Sequence, residues 1–99
     1  MPAPPRQRVS PTELRQRFND GDFWRRARAG EFARVVRDEC TPSSPAEPPG
    51  TRSQMVAYLD ATGRRVALVH QYLRPDGSLG GSGRPDPKEL LDDGILHYA

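Results

Sequence analysis

Cysteine is nearly absent from this sequence, which limits its covalent and metal chemistry. Cys40 is the single cysteine among 99 residues, so the chain cannot form a disulfide bond with itself. One cysteine and two histidines, His70 and His97, are too few for a four-ligand structural zinc site without carboxylates or a second chain. We therefore expect no metal, no other cofactor and no disulfide partner, and we interpret Cys40 as a semi-exposed thiol without a role.

Long apolar segments are also missing. No run of apolar residues approaches the roughly 20 needed to cross a bilayer. The first ten residues contain no apolar stretch of the kind found in a secretory signal. The sequence therefore predicts a cytoplasmic protein without membrane contact.

Lysine is scarce, since fourteen of the fifteen basic residues are arginine. The formal net charge is only +2, but residues 1–40 carry nine arginines against six acids, whereas residues 86–99 carry one lysine against four acids. Arginine suits planar recognition of phosphate and carboxylate. The general abundance of Ala, Gly, Pro and Arg also indicates GC-rich, prokaryote-like coding, and this explains the arginine bias more simply.

The composition predicts one small domain of the α+β class. Proline and glycine account for 20 of the 99 residues, and Ile, Leu, Val and Phe for only 18, so the ordered core must be small. We expect an N-terminal helical arm followed by a small antiparallel β-sheet of three or four strands with one short helix.

The N-terminal half predicts a tail and then helices. Residues 1–9 are rich in Pro and Arg and are expected to be disordered, and residues 10–40 are expected to form the helical arm. Ser10, Pro11 and Glu13 form a capping box, and Asn19 to Gly21 end the first helix. Asp22 begins a second helix, and Glu31–Glu39 forms a third helical piece. Whether residues 23–39 form one helix or two is left open by Gly30.

The C-terminal half predicts a compact α/β unit. Residues 41–53 form a Pro/Ser-rich linker, and residues 54–99 hold a hairpin, a glycine-rich loop, a short helix and a last strand. The hairpin strands are 54–60 and 65–73, and both sides of the second are apolar enough to indicate a central strand covered on two faces. Asp86, Pro87 and Glu89 repeat the capping pattern, which predicts a helix ended by Gly94 before a strand at 95–98.

One group of side chains could catalyse metal-independent cleavage of RNA. Its members are His70, Tyr72, Arg74, Arg84 and His97. One imidazole would take the proton of the 2′-hydroxyl, the other would donate to the leaving oxygen, and arginine would stabilise the charged phosphorane. Small α+β toxin ribonucleases use sets of this type, although this is an analogy at the level of fold only.

The glycine-rich loop is a second candidate site. Gly80, Gly81 and Gly83 precede Arg84, and backbone N–H groups together with the guanidinium could hold an anion. The spacing matches neither a P-loop nor a dinucleotide-binding fingerprint, so a tight turn explains the loop equally well.

The helical arm is the third candidate, because aromatic residues alternate with its basic ones. Its arginines are Arg15, Arg17, Arg25, Arg26, Arg28, Arg34 and Arg37. Such a surface favours nucleic acid or an acidic protein partner. The first hypothesis is therefore an accessory or binding protein that acts through this arm. The alternatives are the ribonuclease and a protein-interaction module whose arm orders on a partner, and the oligomeric state stays open.

Overall fold

The computed structural model describes residues 3–41 and 46–99, and within these ranges the chain forms six strands and two short helices. In chain order they are β1 (Arg6–Arg8), α1 (Pro11–Asp20), α2 (Phe23–Arg28), β2 (Ala33–Cys40), β3 (Arg52–Leu59), β4 (Arg65–Leu73), β5 (Asp86–Asp92) and β6 (Ile95–Tyr98). The strands form one sheet in the order β1-β6-β5-β4-β3-β2. All neighbours are antiparallel except β1 and β6, which run parallel.

Helix α1 begins where the capping box predicts. The Ser10 hydroxyl accepts a hydrogen bond of 3.0 Å from the backbone N–H of Glu13, and Pro11 occupies the first turn. Leu14 and Phe18 are four residues apart, so they share one side of the helix, and both are buried. This side of α1 packs on β5 and β6.

The core lies between the helices and one face of the sheet. Buried residues of the sheet in this core are Val56, Tyr58, Ala67, Val69 and Leu90, and the helices contribute Leu14, Phe18 and Phe23. The Phe23 ring contacts both the helical and the sheet part of the core, with centroid distances of 5.1 Å to Phe18 and 5.6 Å to Tyr58. Both helices therefore cover the same face, and we call the opposite side of the sheet the open face.

The predicted helical arm is wrong beyond Arg28. Residues 31–39 were expected to be helical, but Ala33–Cys40 forms β2 and pairs with β3. Gly30 has a φ of +83° and ends the preceding helix. The β-branched pair Val35 and Val36 follows it, and such residues lose side-chain freedom in a helix but fit a strand. Pairing with β3 then stabilises the strand conformation. Arg34 and Arg37 therefore lie on a strand and not on the predicted helical arm.

The predicted helix after Asp86 is also wrong, and the sheet is larger than the expected three or four strands. Asp86–Asp92 forms β5, which pairs with β4 on one side and with β6 on the other. Asp93 and Gly94 have φ values of +53° and +74° and connect Asp92 to Ile95. Asp-Gly in a two-residue connection is typical of a β-hairpin, so Gly94 serves a hairpin and not a helix end.

The remaining segments agree in part with the elements predicted from the sequence. The predicted strands 54–60, 65–73 and 95–98 are confirmed as β3, β4 and β6, and β4 is central in the sheet although the helices cover only one of its faces. Arg6–Arg8 lies within the tail expected to be disordered but pairs with β6. Residues 1–2 of that tail and 42–45 of the linker lie outside the described residues.

Phe18→Ala should lower the free energy of unfolding by about 3–5 kcal/mol, because it removes a buried ring that no neighbour can replace. Asn19→Ala, on the exposed side of the same helix, is the matched control and should change it by less than about 0.5 kcal/mol. Urea unfolding followed by circular dichroism measures both. Equal stability of the two variants would contradict this placement of the core.

Candidate functional site

A small cavity opens where β4 continues beyond β5. The pairing of these strands ends at His70 and Asp86, whereas β4 runs on to Leu73, which forms an isolated bridge with Leu79. The space between has a volume of about 280 Å³ and is lined by His70, Gln71, Tyr72, Gly80, Gly81, Ser82, Arg84 and Asp86. The cavity therefore combines the predicted histidine with the glycine-rich loop.

His70 is held in this cavity by neighbours on two strands. Its Nε2 lies 2.8 Å from the hydroxyl oxygen of Ser53 on β3, and its ring meets the Tyr72 ring edge-on at a centroid distance of 4.9 Å. Burial lowers the pKa of His70, nearby Lys88 lowers it further, and the Asp86 carboxylate opposes both effects. The imidazole is therefore neutral at neutral pH and able to accept a proton.

Gln71 adds an unused acceptor beside the same cavity. Its side chain is buried, and its Nε2 donates a hydrogen bond of 2.9 Å to Oε1 of Gln54. Its own Oε1 has no hydrogen-bond partner within residues 3–41 and 46–99. A buried acceptor without a partner costs free energy, so a donor that reaches it would be favoured.

Arg84 connects this cavity to a second one beneath α1. The second cavity has a volume of about 330 Å³, shares Ser82, Arg84 and Asp86 with the first, and is also lined by Arg15 and Phe18. We call the two adjoining cavities the Arg84 groove.

Positive charge predominates at the Arg84 groove. Arg84 is exposed and has no ion-pair partner in the part of the chain that the structure describes. Asp86 is shared between Arg15, at 3.6 Å, and Lys88, at 2.9 Å. Three cations therefore surround one carboxylate, and the groove is attractive to an anion.

Glu47 holds the glycine-rich loop in place. Its carboxylate is almost completely buried and accepts hydrogen bonds of 2.9 Å from Nε of Arg74 and from the backbone N–H of Gly81. Both bonds lower the pKa of Glu47, and the bond from Arg74 has the larger effect. Gly80 packs against the same carboxylate, and an added Cβ there would clash with it. Arg74 thus positions the loop and is not available to a ligand.

His97 lies apart from His70. It pairs with Leu90, a core residue, so it faces the helices, while His70 alternates with the core residue Val69 and faces the open side. Strand β5 also separates the strands that carry them. Of the five residues predicted for catalysis, the structure brings together His70, Tyr72 and Arg84 and leaves out Arg74 and His97.

Six of the seven arginines predicted to form a basic arm are engaged by other side chains. Arg15 pairs with Asp86, Arg17 with Glu13 and Asp92, Arg25 with Asp22, and Arg26 with Glu31. Arg28 lies over the Trp24 ring, Arg34 donates to Gln54, and Arg37 has no ion-pair partner among the described residues. Only Arg15 of this set lines the groove.

Sequence reasoning missed Ser53, Gln71 and Glu47 as parts of this site. Ser53 was assigned to the linker, but it lies on β3 opposite Tyr72, and this places it diagonally next to His70. Its position follows from extending the predicted strand backwards by two residues. Glu47 gives no local signal, because its partners are 27 and 34 residues away in the chain.

The comparisons with known proteins identify no relative. No protein-family model matches the chain, and neither the curated proteins nor the solved structures include a significant match. Across residues 3–41 and 46–99 we find no group of three or more His, Cys, Asp or Glu side chains arranged to hold a metal ion. The helices in these ranges are too short and too polar to cross a membrane.

Gly80→Ala should destabilise the protein by about 1–2 kcal/mol, because the added methyl group displaces the Glu47 carboxylate from its hydrogen bonds with Arg74 and Gly81. Gly21→Ala is the matched control, since its Cβ meets only the Arg17 carbonyl oxygen at an ordinary 3.4 Å. Thermal unfolding of both variants measures the difference. A Gly80→Ala variant as stable as Gly21→Ala would show that Glu47 does not hold the loop.

The imidazole of His70 should titrate below its usual midpoint of about 6.5, because the charged form is disfavoured by burial and by Lys88. Asp86→Asn removes the one group that raises the pKa and should lower the midpoint further, while Lys88→Gln should raise it. NMR titration, with His70→Gln to assign the signal, measures all three. Opposite shifts in the two variants would contradict the arrangement of these charges.

Proposed function

We propose that the protein is a small, non-enzymatic accessory protein that binds single-stranded nucleic acid, and RNA in particular, in the Arg84 groove. The observation that carries this proposal is that His70, Tyr72 and Arg84 line one cavity. The proposal moves the binding surface from the predicted arm to the groove and keeps the cytoplasmic location expected from the sequence.

The charges of the groove suit a phosphate backbone. Arg15 and Arg84 line the same cavity, and Lys88, which pairs with Asp86, adds a third positive charge. Phosphate contacts of this kind supply most of the sequence-independent affinity of nucleic-acid-binding proteins. The surface ion pair between Arg15 and Asp86 is weak enough for a phosphate to displace it.

The cavity itself suits one unstacked base. Its volume of about 280 Å³ is just below the roughly 300–1,000 Å³ typical of ligand pockets, so it suits one base better than a larger ligand. Tyr72 offers an aromatic ring for stacking, and His70 and Gln71 offer hydrogen-bonding groups. Single strands expose their bases to such groups, whereas a duplex does not.

Cleavage of RNA is the second candidate function, because the lowered pKa of His70 leaves a neutral base in the cavity. His70 would take the proton of a ribose 2′-hydroxyl, whose oxygen attacks the adjacent phosphorus. The bond to the 5′ oxygen then breaks, and this oxygen takes a proton from the Tyr72 hydroxyl. The products are a 2′,3′-cyclic phosphate and a free 5′-hydroxyl, with Arg84 stabilising the charge on the phosphorane.

Arg84→Ala should weaken binding of short labelled single-stranded RNA by about 10- to 100-fold and reduce the salt dependence by one phosphate contact, because it removes a charge-assisted hydrogen bond. Arg64→Ala is the matched control, since it makes the same charge change in the β3–β4 turn at the far end of β4. Fluorescence anisotropy at several salt concentrations, without divalent metal, measures both variants.

Other outcomes of this experiment separate the alternatives. A signal that rises and then decays on RNA alone, but not with His70→Gln, would replace simple binding by cleavage. Displacement of the RNA by polyglutamate as readily as by unlabelled RNA would favour an acidic protein partner. No binding by the wild-type protein, or equal loss in Arg84→Ala and Arg64→Ala, would overturn the proposal.

A further inference from the structure

Strand β2 presents a bare edge of the sheet. It pairs with β3 on one side and is the last strand in the sheet order. All eight of its residues are exposed, including Val35 and Val36, which are 36% and 39% exposed. The outer N–H and C=O groups of an edge strand of this length form a template for another strand.

The pairing of β2 with β3 defines which of its side chains share a face. Arg34 lies opposite the core residue Tyr58, and Glu39 lies opposite Gln54, so both are on the side of the helices. Val35 and Asp38 lie opposite Ala57 and Met55, which places both on the open face. Val35 and Asp38 are three residues apart and share a face because the bulge between Val36 and Asp38 inserts one extra residue.

We propose that β2 pairs antiparallel with β2 of a second copy of this chain and so joins two sheets across a two-fold axis. Directly opposite residues in an antiparallel pair must lie on the same face. Arg37 lines a cavity on the open face together with Val35 and Ala57, so it shares that face with Asp38. The condition is met at every pair when Arg37 lies opposite Asp38 of the second copy, Val36 opposite Glu39 and Val35 opposite Cys40. A register shifted by one residue would place Val36, on the side of the helices, opposite Asp38 on the open face.

The charges of β2 are complementary to themselves in this register. Arg37 lies directly opposite Asp38 of the second copy, and opposite charges in this position stabilise an antiparallel pair. Neither of these two residues has an ion-pair partner among the residues that the structure describes. Glu39 already accepts hydrogen bonds from Arg52 and Gln54, so Arg37 and Asp38 contribute most of the new pairing.

The bulge and the charges also explain why a second copy is favoured over other strands. Bulges and charged side chains are the usual means by which proteins protect a sheet edge. On β2 the bulge lies at the two-fold axis, where both copies have the same irregularity. A strand without this bulge and this order of charges would match neither feature of β2. Strand β2 therefore pairs preferentially with a second copy of itself.

Charge reversal at the two free residues tests the proposal. Arg37→Asp and Asp38→Arg each place like charges across the axis and should weaken self-association by about tenfold or more. An equimolar mixture of the two variants restores opposite charges and should associate as the wild-type protein does. Sedimentation velocity over a range of concentrations measures all samples, with Arg8→Asp and Asp20→Arg, off β2, as matched controls.

The mixture distinguishes loss of the interface from loss of the fold. Recovery of dimers only in the mixture supports the proposal, because two unfolded variants would not recover together. Three results overturn it: a wild-type protein that sediments as a monomer at every concentration, single variants that remain as dimeric as the wild type, or a mixture that stays monomeric. The test is independent of RNA binding, because the groove lies on β4 and β5.

Discussion

The packing of α1 against β5 and β6 is the contact on which the rest of this structure depends. The sheet has one apolar face to cover, and the chain supplies two short helices to do so. Leu14 and Phe18 fill that face, and Phe23 extends the cover towards Tyr58. The same contact forms one wall of the groove, because Phe18 and its neighbour Arg15 both line it. The same helix therefore stabilises the core and lines the candidate site.

A buried carboxylate gives the groove its second wall. Burying Glu47 is costly unless its charge is fully paired, and Arg74 and the Gly81 N–H meet that need together. The loop that carries Arg84 is consequently attached to two distant parts of the chain. A side chain at position 80 would displace the carboxylate from these partners. Glu47 thus holds in place the loop that leads to Arg84.

The two proposed binding surfaces use different parts of one sheet. The groove lies at the β4–β5 end, whereas β2 forms the edge beyond β3. Pairing of two chains through β2 would leave both grooves accessible, so the two proposals are compatible. Two grooves on one continuous sheet would also raise the effective concentration of a second site for the same strand of RNA.

Local chemistry in the sequence predicts the start of α1 and the strands β3, β4 and β6, because each depends on neighbours along the chain. It also places His70 and Tyr72 on one side of a strand. The same reasoning fails at Asp86–Asp92, whose capping pattern resembles that of α1. In α1 the apolar residues are four apart and share a side, whereas Leu90 and Leu91 are adjacent and point to opposite faces of β5.

Only the tertiary structure decided which candidate residues meet. The alternation of β6 turns His97 towards the helices, and the order of the strands places β5 between it and His70. Pairing with β3 converts Ala33–Cys40 from a predicted helix to a strand. The sequence by itself determined the capped helix, the central hairpin and the residue types of the site. Long-range strand pairing decided their arrangement, because its hydrogen bonds join residues that no local pattern relates.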